Sequence, residues 1–461
     1  MLSDILTPQK ALFPDGAHTE LRGQLNRTRR VVLLAGNLIQ NTRSDVSGVS
    51  ARVYKNGVYG FSSMAEYSPE AAQAVLKAAA ENALFMDEHV RPGKPQLPPV
   101  GSSMTAPEAA LADGAQSLYT DFARAVDDRV RSRYKNVVSR RIVVYEDSME
   151  KLLRVSQGAD FHIAAPRSYC YVFLTAETPA GIPVELFTVA GGSGVFADNF
   201  SDPAAMDVLT DQLYDELMAK REGVYADAGE KTVILGGMMT GMLSHEAVGH
   251  TVEADIVLGG SVAAHNLGKR VASDKVTMTD FAHTAFGAPC PLPVYADDEG
   301  TPARDVTLIR DGILTGYMNS RASGLHYGME PRGNARAWLF SDEPLIRMRN
   351  TAIHPGTDRL EDMIASVDDG YLLLRSGNGQ ADTTGEFMFG VTMGYEIKRG
   401  KLGRALLDTT VSGVAFEMLK TVDMVSDTVT WASSGFCGKK QPMSVGMGGP
   451  ALRCRITIGG R

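Results

Sequence analysis

The chain has no apolar run long enough to cross a bilayer. Its most hydrophobic stretch, Thr232 to Leu243, is short and is broken by Gly236, Gly237 and Gly241. No membrane partner is expected from it. Cysteine is scarce: Cys170, Cys290, Cys437 and Cys454 are spread over 461 residues. So few and so distant thiols suit a reducing, cytoplasmic setting rather than a disulfide framework, and leave thiolates free to bind metal. Positive charge is also short, with 46 Lys and Arg against 54 Asp and Glu and a net charge of -8. Phosphate backbones need a basic surface, so nucleic acid is not an expected partner. The densest basic cluster, Arg129, Arg131, Arg133, Lys135, Arg140 and Arg141, reads as a solvated helix face and a strand start. The segment Met1-Leu2-Ser3-Asp4-Ile5-Leu6-Thr7-Pro8 lacks a charged start followed by an apolar core, so no secretory signal is expected there.

What is present is a soluble-type composition, 44% hydrophobic and 22% charged, on a length that predicts two or three domains. Val53 and Tyr54, Asn56-Gly57, then Val58, Tyr59 and Phe61 predict a hairpin over 51–63, because both residues of a tight turn need positive φ. Ser68-Pro69 predicts a helix start running to about Phe85. The prolines of Arg91 to Pro107 predict a linker or surface crossing. A second helix is predicted with Leu118, Phe122, Val126 and Val130 on one stripe. Strands follow at Ile142–Tyr145, Leu152–Val155, Tyr169–Ala176 and Val184–Ala190, then a helix from Ser201-Asp202-Pro203. In the second half, Thr232–Leu235 predicts a buried strand and Met238 to about Glu253 a helix. Asp311-Gly312 and Arg399-Gly400-Lys401 predict hairpin turns. No βαβ series supports a doubly wound sheet. The predicted fold class is α+β, with mixed and antiparallel sheets, packed helices, and two domains, 1–222 and 223–461.

Chemistry concentrates in His245-Glu246-Ala247-Val248-Gly249-His250. Neutral imidazole is the commonest zinc ligand, and a neighbouring carboxylate can serve as a base without binding the metal. Zinc-peptidase helices usually place histidines four apart. Here they are five apart, which on a regular α-helix separates them by roughly 140°. A wide π-type turn would bring them together, and Gly249 is placed to absorb the distortion. The competing reading is two helix histidines that each hydrogen-bond locally. An open zinc site needs a third ligand. Candidates are Glu253, Asp255, Cys290, Cys437, Cys454 and other histidines. Cys437 is favoured because Gly435 and Gly438 let its loop approach a helix closely.

The run from His245 to His250, with Glu253 and Asp255 after it, resembles the signature of the TldD/PmbA family of metallopeptidases. The resemblance continues through Asp297-Asp298-Glu299-Gly300, Gly377-Asn378-Gly379-Gln380, Cys437-Gly438-Lys439, Val445-Gly446-Met447-Gly448 and Thr457-Ile458-Gly459-Gly460. It spans about residue 231 to the end, and more loosely the N-terminal half. It implies zinc on His245, His250 and Cys437, with Glu246 as general base. The intact His-Glu run implies the catalytic type rather than the inactive TldE/PmbA-type paralogue. It further implies cleavage of unfolded or short peptides, and a homodimer or a heterodimer with such a paralogue.

The expected function is therefore a cytoplasmic zinc-dependent peptidase. Two alternatives are a non-catalytic subunit of a peptidase complex and a zinc hydrolase of non-peptide amides. Gly377, Gly379 and Gly385 are expected either to admit a peptide added as a strand or to be ordinary turn glycines. Gly191-Gly192-Ser193-Gly194 lacks the Lys-Ser/Thr of a phosphate loop.

Overall fold

The computed structural model describes the chain apart from residues 1–4, 90–96, 98–99, 101–102, 108, 157–158 and 460–461. The start of the N-terminal segment, the four prolines Pro92, Pro95, Pro98 and Pro99, and Gly460 lie outside the described residues.

Two strands of unusual length, His18–Leu34 and Asn37–Lys55, open the fold as an antiparallel hairpin. The second continues into Val58–Met64 through Asn56 and Gly57, whose φ values of 48° and 96° are those a tight turn requires. The first pairs on its other side with Ser139–Val155, followed by Asp160–Glu177 and Pro183–Ser193. The two short strands expected at Ile142–Tyr145 and Leu152–Val155 are thus one continuous strand, because the polar residues between them find partners without leaving it: Glu146 accepts from Tyr119, Asp147 from Arg167 and Ser148 from the Ala112 amide, and Lys151 donates to Asp298. Met104–Thr105 completes this seven-stranded sheet.

The helix Pro69–His89 packs on the hairpin through Ala71, Ala72, Val75, Leu76, Ala79 and Ala83. Its backbone comes so near that a Cβ on Gly60 would lie 2.1 Å from the Ala79 carbonyl, so the strand requires glycine there. The Ser68 hydroxyl accepts from the Ala71 amide at 3.1 Å, which caps the helix. In the helix Gln116–Arg133, Phe122, Val126 and Val130 are buried as expected, but Leu118 is 44% exposed and Tyr119 takes its place. A four-residue step overshoots one helical turn by roughly 40°, so three steps carry the first residue off the stripe. Four of the six basic residues of that cluster are in ion pairs: Arg129 and Arg133 with Asp207, Arg131 with Asp128 and Arg140 with Asp127.

The second half contributes two larger sheets. One runs in the order Ile313–Leu314, Val306–Arg310, Met278–Phe281, Asn350–Ile353, Gln441–Gly449 and Thr430–Lys439. The other joins Asp369–Ala381, Gly229–Leu235, Leu452–Ile458, Thr409–Val414, Glu386–Lys398 and Lys401–Ala405. An extra pairing between Asp369–Ala381 and Glu386–Lys398 closes five of these strands into a ring. The segment after Gly229–Leu235 turns into a helical stretch that packs against strands of both sheets. Mixed sheets with packed helices make the fold α+β.

The halves meet at Asp297-Asp298-Glu299-Gly300. Asp298 accepts from Arg22 Nη1 at 2.9 Å and Lys151 Nζ at 2.8 Å, and Glu299 from Arg52 Nη2 at 2.6 Å, all three cations rising from the long N-terminal strands. Tyr169 and Tyr171 of the same sheet donate their hydroxyls to the carbonyls of Ser433 and Ser434, both at 2.8 Å. These anchor the strand that carries Cys437.

Candidate metal centre

The helical stretch is not uniform. It is α-helical over Gly237–Met242, π-helical over Leu243–Gly249 and 3-10 over His250–Val252. The His250 amide donates to the His245 carbonyl five residues back. This is the wide turn that the five-residue spacing calls for, and it sets the two imidazoles 5.1 Å apart between centroids. Gly249 does not absorb the distortion, since its φ of -54° and ψ of -49° are ordinary helical values. It is needed for space: a Cβ there would lie 2.1 Å from Met348 Sδ.

Cys437 arrives from the strand Thr430–Lys439, with its Sγ 3.3 Å from His250 Nε2. One ligand atom from each of His245, His250 and Cys437 lies within 4.8 Å of the others. Tetrahedral zinc, with Zn–S near 2.3 Å and Zn–N near 2.0–2.1 Å, sets sulfur and nitrogen about 3.6 Å apart. The cluster therefore fits such an ion. Two side-chain atoms here, His245 Nδ1 and Glu253 Oε1, are buried with no hydrogen-bond partner among the described residues. Burial, with the charges of His250 and Arg347 adding to it, pushes the His245 pKa well below its ordinary value, so the ring stays neutral with a lone pair to give. Burial acts downward on His250 too, but contact with Cys437 and Glu253 outweighs it and lifts that imidazole to about 10. Surroundings that hold a proton so firmly also favour a divalent cation in its place.

Glu246 stands over the cluster, its carboxylate oxygens 3.9 Å from His245 Nε2 and 3.7 Å from His250 Nε2. Burial raises its pKa and nearby Glu253 adds to this, with His250 opposing. A carboxylate raised in this way is a stronger proton acceptor.

The other candidate ligands are placed elsewhere. Fully buried Glu253 accepts from His250 Nδ1 at 3.1 Å and from Lys439 Nζ at 3.0 Å. Asp255 also pairs with Lys439, at 2.7 Å. Cys290 packs with Phe281, Ala285 and Ala352, and Cys454 lies in the core of the ringed sheet. Gly379 faces the Phe389 ring and Gly385 has a φ of 85° in a turn, so their own chain accounts for both. Sequence reasoning missed Lys439 as the link between the two ligand-bearing elements. It also missed Arg347, which donates to the carbonyls of Cys437 and Gln441 at 2.7 and 2.8 Å. Proximity of Lys439 to Cys437 was the available signal for the first; nothing local marks Arg347.

Residues 228–460 match the family model described as the PmbA/TldA metallopeptidase C-terminal domain, and residues 19–83 match PmbA/TldA metallopeptidase domain 1. A metalloprotease of Methanothermobacter thermautotrophicus is 29% identical over 460 residues, covering 96% of this chain and 95% of that protein. A zinc metalloprotease TldD homolog of Saccharolobus solfataricus is 28% identical and covers 90% of each. Among solved structures, TldE from Thermococcus kodakarensis superposes with a TM-score of 0.79 at 18% identity over the whole of both chains, a likeness of fold alone. With both family models matched in order, this chain belongs to the TldD/PmbA family of metallopeptidases.

Proposed function

We propose that this chain is a zinc-dependent peptidase in which His245, His250 and Cys437 hold the metal and Glu246 is the general base. The observation that carries the reading is the meeting of two imidazoles and a thiol from distant elements within 4.8 Å, beneath a partly buried carboxylate. The bound metal would lower the pKa of water and polarise the peptide carbonyl. Neutral His245 offers its lone pair. Glu253 accepts a hydrogen bond from His250 Nδ1 and so keeps Nε2 facing Cys437. Glu246 accepts the proton of the attacking water and passes it to the leaving amine nitrogen.

In this reading residues 223–461 form the catalytic domain and residues 1–222 a second domain that braces it. Unfolded or short peptides are the substrates, and the working assembly is a homodimer or a heterodimer with a TldE/PmbA-type paralogue. All four cysteines are free thiols, which supports a cytoplasmic setting. No helix among the described residues is long and apolar enough to cross a membrane. The test is cleavage of an unstructured peptide before and after chelation. Loss on chelation and recovery on adding zinc support the reading; undiminished cleavage without metal, or none under any condition including with a paralogue present, contradicts it.

A further inference from the structure

A second polar feature lies beyond the metal cluster. A cavity of about 250 Å³ opens between the strands Ser139–Val155 and Asp160–Glu177 and the segment 292–296. Lys151, Arg167, Arg336 and Asp298 line it. Lys151 is committed to Asp298 at 2.8 Å and to the Ala337 carbonyl at 2.6 Å. Arg167 is 5% exposed and donates Nη2 to Asp147 at 2.5 Å, but its buried Nε has no partner. Among the described residues, Arg336 donates only to the carbonyls of Met348 at 2.8 Å and Ser444 at 3.3 Å. No described carboxylate comes within ion-pair distance of it. Burial, with Arg167 and Arg347 adding, pushes its pKa down to about 9 against the more distant pull of Asp298 and Asp280, as expected of a cation without a counter-charge in contact. The rest of the wall includes Ile163, Leu292, Val294 and Met443.

The cavity borders the sheet that carries Cys437. Met443 is directly opposite Cys437 in the sheet. Arg336 holds the backbone of Met348, whose Sδ packs on Gly249, the residue before His250. An uncompensated arginine beside an apolar wall, in a space smaller than those that take whole drug-sized ligands, suits one residue bearing a carboxylate.

We propose that this cavity binds a carboxylate of the peptide substrate, clamped by Arg336 and Arg167, with an apolar part against Ile163 and Leu292. The idea rests on the peptidase reading for its substrate, but binding itself needs no turnover. The carboxylate is either the C-terminal group or an acidic side chain.

The experiment is calorimetric titration of the full chain, as purified and after chelation, with N-acetyl-leucine, N-acetyl-leucinamide and N-acetyl-glutamic acid α-amide. The free acid is expected to bind at least about tenfold more tightly than leucinamide, with or without metal. Tighter binding of the glutamic acid derivative than of N-acetyl-leucine assigns the clamp to a side chain; the reverse assigns it to a chain terminus. Arg336→Gln should erase the preference, and Ile163→Trp, which fills the cavity and leaves both arginines, should weaken all binding. Equal binding of acid and amide, or a preference that survives Arg336→Gln, overturns the proposal. Because neither readout is cleavage, its failure is distinguishable from failure of the peptidase reading.

Discussion

Lys439 Nζ and Glu253 Oε2 meet at 3.0 Å where the Cys437 strand crosses the end of the helical stretch, and the same carboxylate oxygen accepts from His250 Nδ1. One buried oxygen thus ties the position of the thiol-bearing strand to the orientation of an imidazole. Partners of this kind fix the tautomer and raise the basicity of a metal-binding histidine. Glu253→Gln should lower zinc affinity by about 10–100-fold while the chain still folds. Competition with a coloured chelator measures it, and an unchanged affinity removes Glu253 from the site.

Base and ligand roles separate in a pair of variants. Glu246→Gln keeps the shape of the side chain but loses the proton acceptor, so cleavage should fall by about 10²–10⁴-fold with zinc content unchanged. Cys437→Ala removes a donor, so zinc content itself should fall. Metal analysis beside a peptide assay reads both. Wild-type cleavage by Glu246→Gln would mean that another group is the base.

Gly249→Ala offers a test of the close packing around the π-turn. At helical φ and ψ, alanine should gain about 1 kcal/mol over glycine. The new Cβ would meet Met348 Sδ at 2.1 Å, and overpacking costs about 1–3 kcal/mol. The clash should win, lowering the unfolding midpoint, and shortening the partner by Met348→Val should restore it. A more stable Gly249→Ala single variant would refute the packing account.

Two buried carboxylates at the junction between the halves make stability acid-sensitive, while Asp297 there works the other way because burial and Glu299 push its carboxyl well above the usual range. Asp298 resists the upward pull of burial because Lys151 and Arg22 hold it at about 2; Glu20, likewise buried, is held at about 2 by Arg52 and His18. Both folded values lie below the unfolded ones, so the unfolded chain binds more protons between them. The stabilisation is complete above about pH 4.5 and is lost as pH falls toward 2. Asp298→Asn should remove part of this acid dependence and cost about 3–5 kcal/mol at neutral pH by stranding two buried cations. Denaturant melts across that range check both.

Much of the centre could be read along the chain because its residues announce themselves locally. Histidines five apart with a glutamate between them demand a wide turn. The glycines beside Cys437 pointed to the residue that meets the histidines for a reason the structure does not bear out, since a Cβ at Gly438 would meet nothing within 4 Å and one at Gly435 only the Met447 methyl at 3.2 Å. Asn56-Gly57 and Asp311-Gly312 marked turns for the same local reason, with φ values of 47° and 80° at the latter. The long N-terminal strands were not legible. Their charged residues, among them Arg22, Arg52 and Lys151, look like solvent-facing positions, yet each is buried against an acidic partner hundreds or tens of residues away. Such pairing carries no period. Arg347 and Arg336 were hidden likewise, since each contacts backbone carbonyls, which leave no trace in residue type.

Zinc K-edge absorption on the purified chain tests the central claim most directly. The account predicts one sulfur at about 2.3 Å and two imidazole nitrogens at about 2.0–2.1 Å, with the sulfur lost in Cys437→Ala. A zinc shell built only of nitrogen and oxygen in the unaltered protein would contradict it.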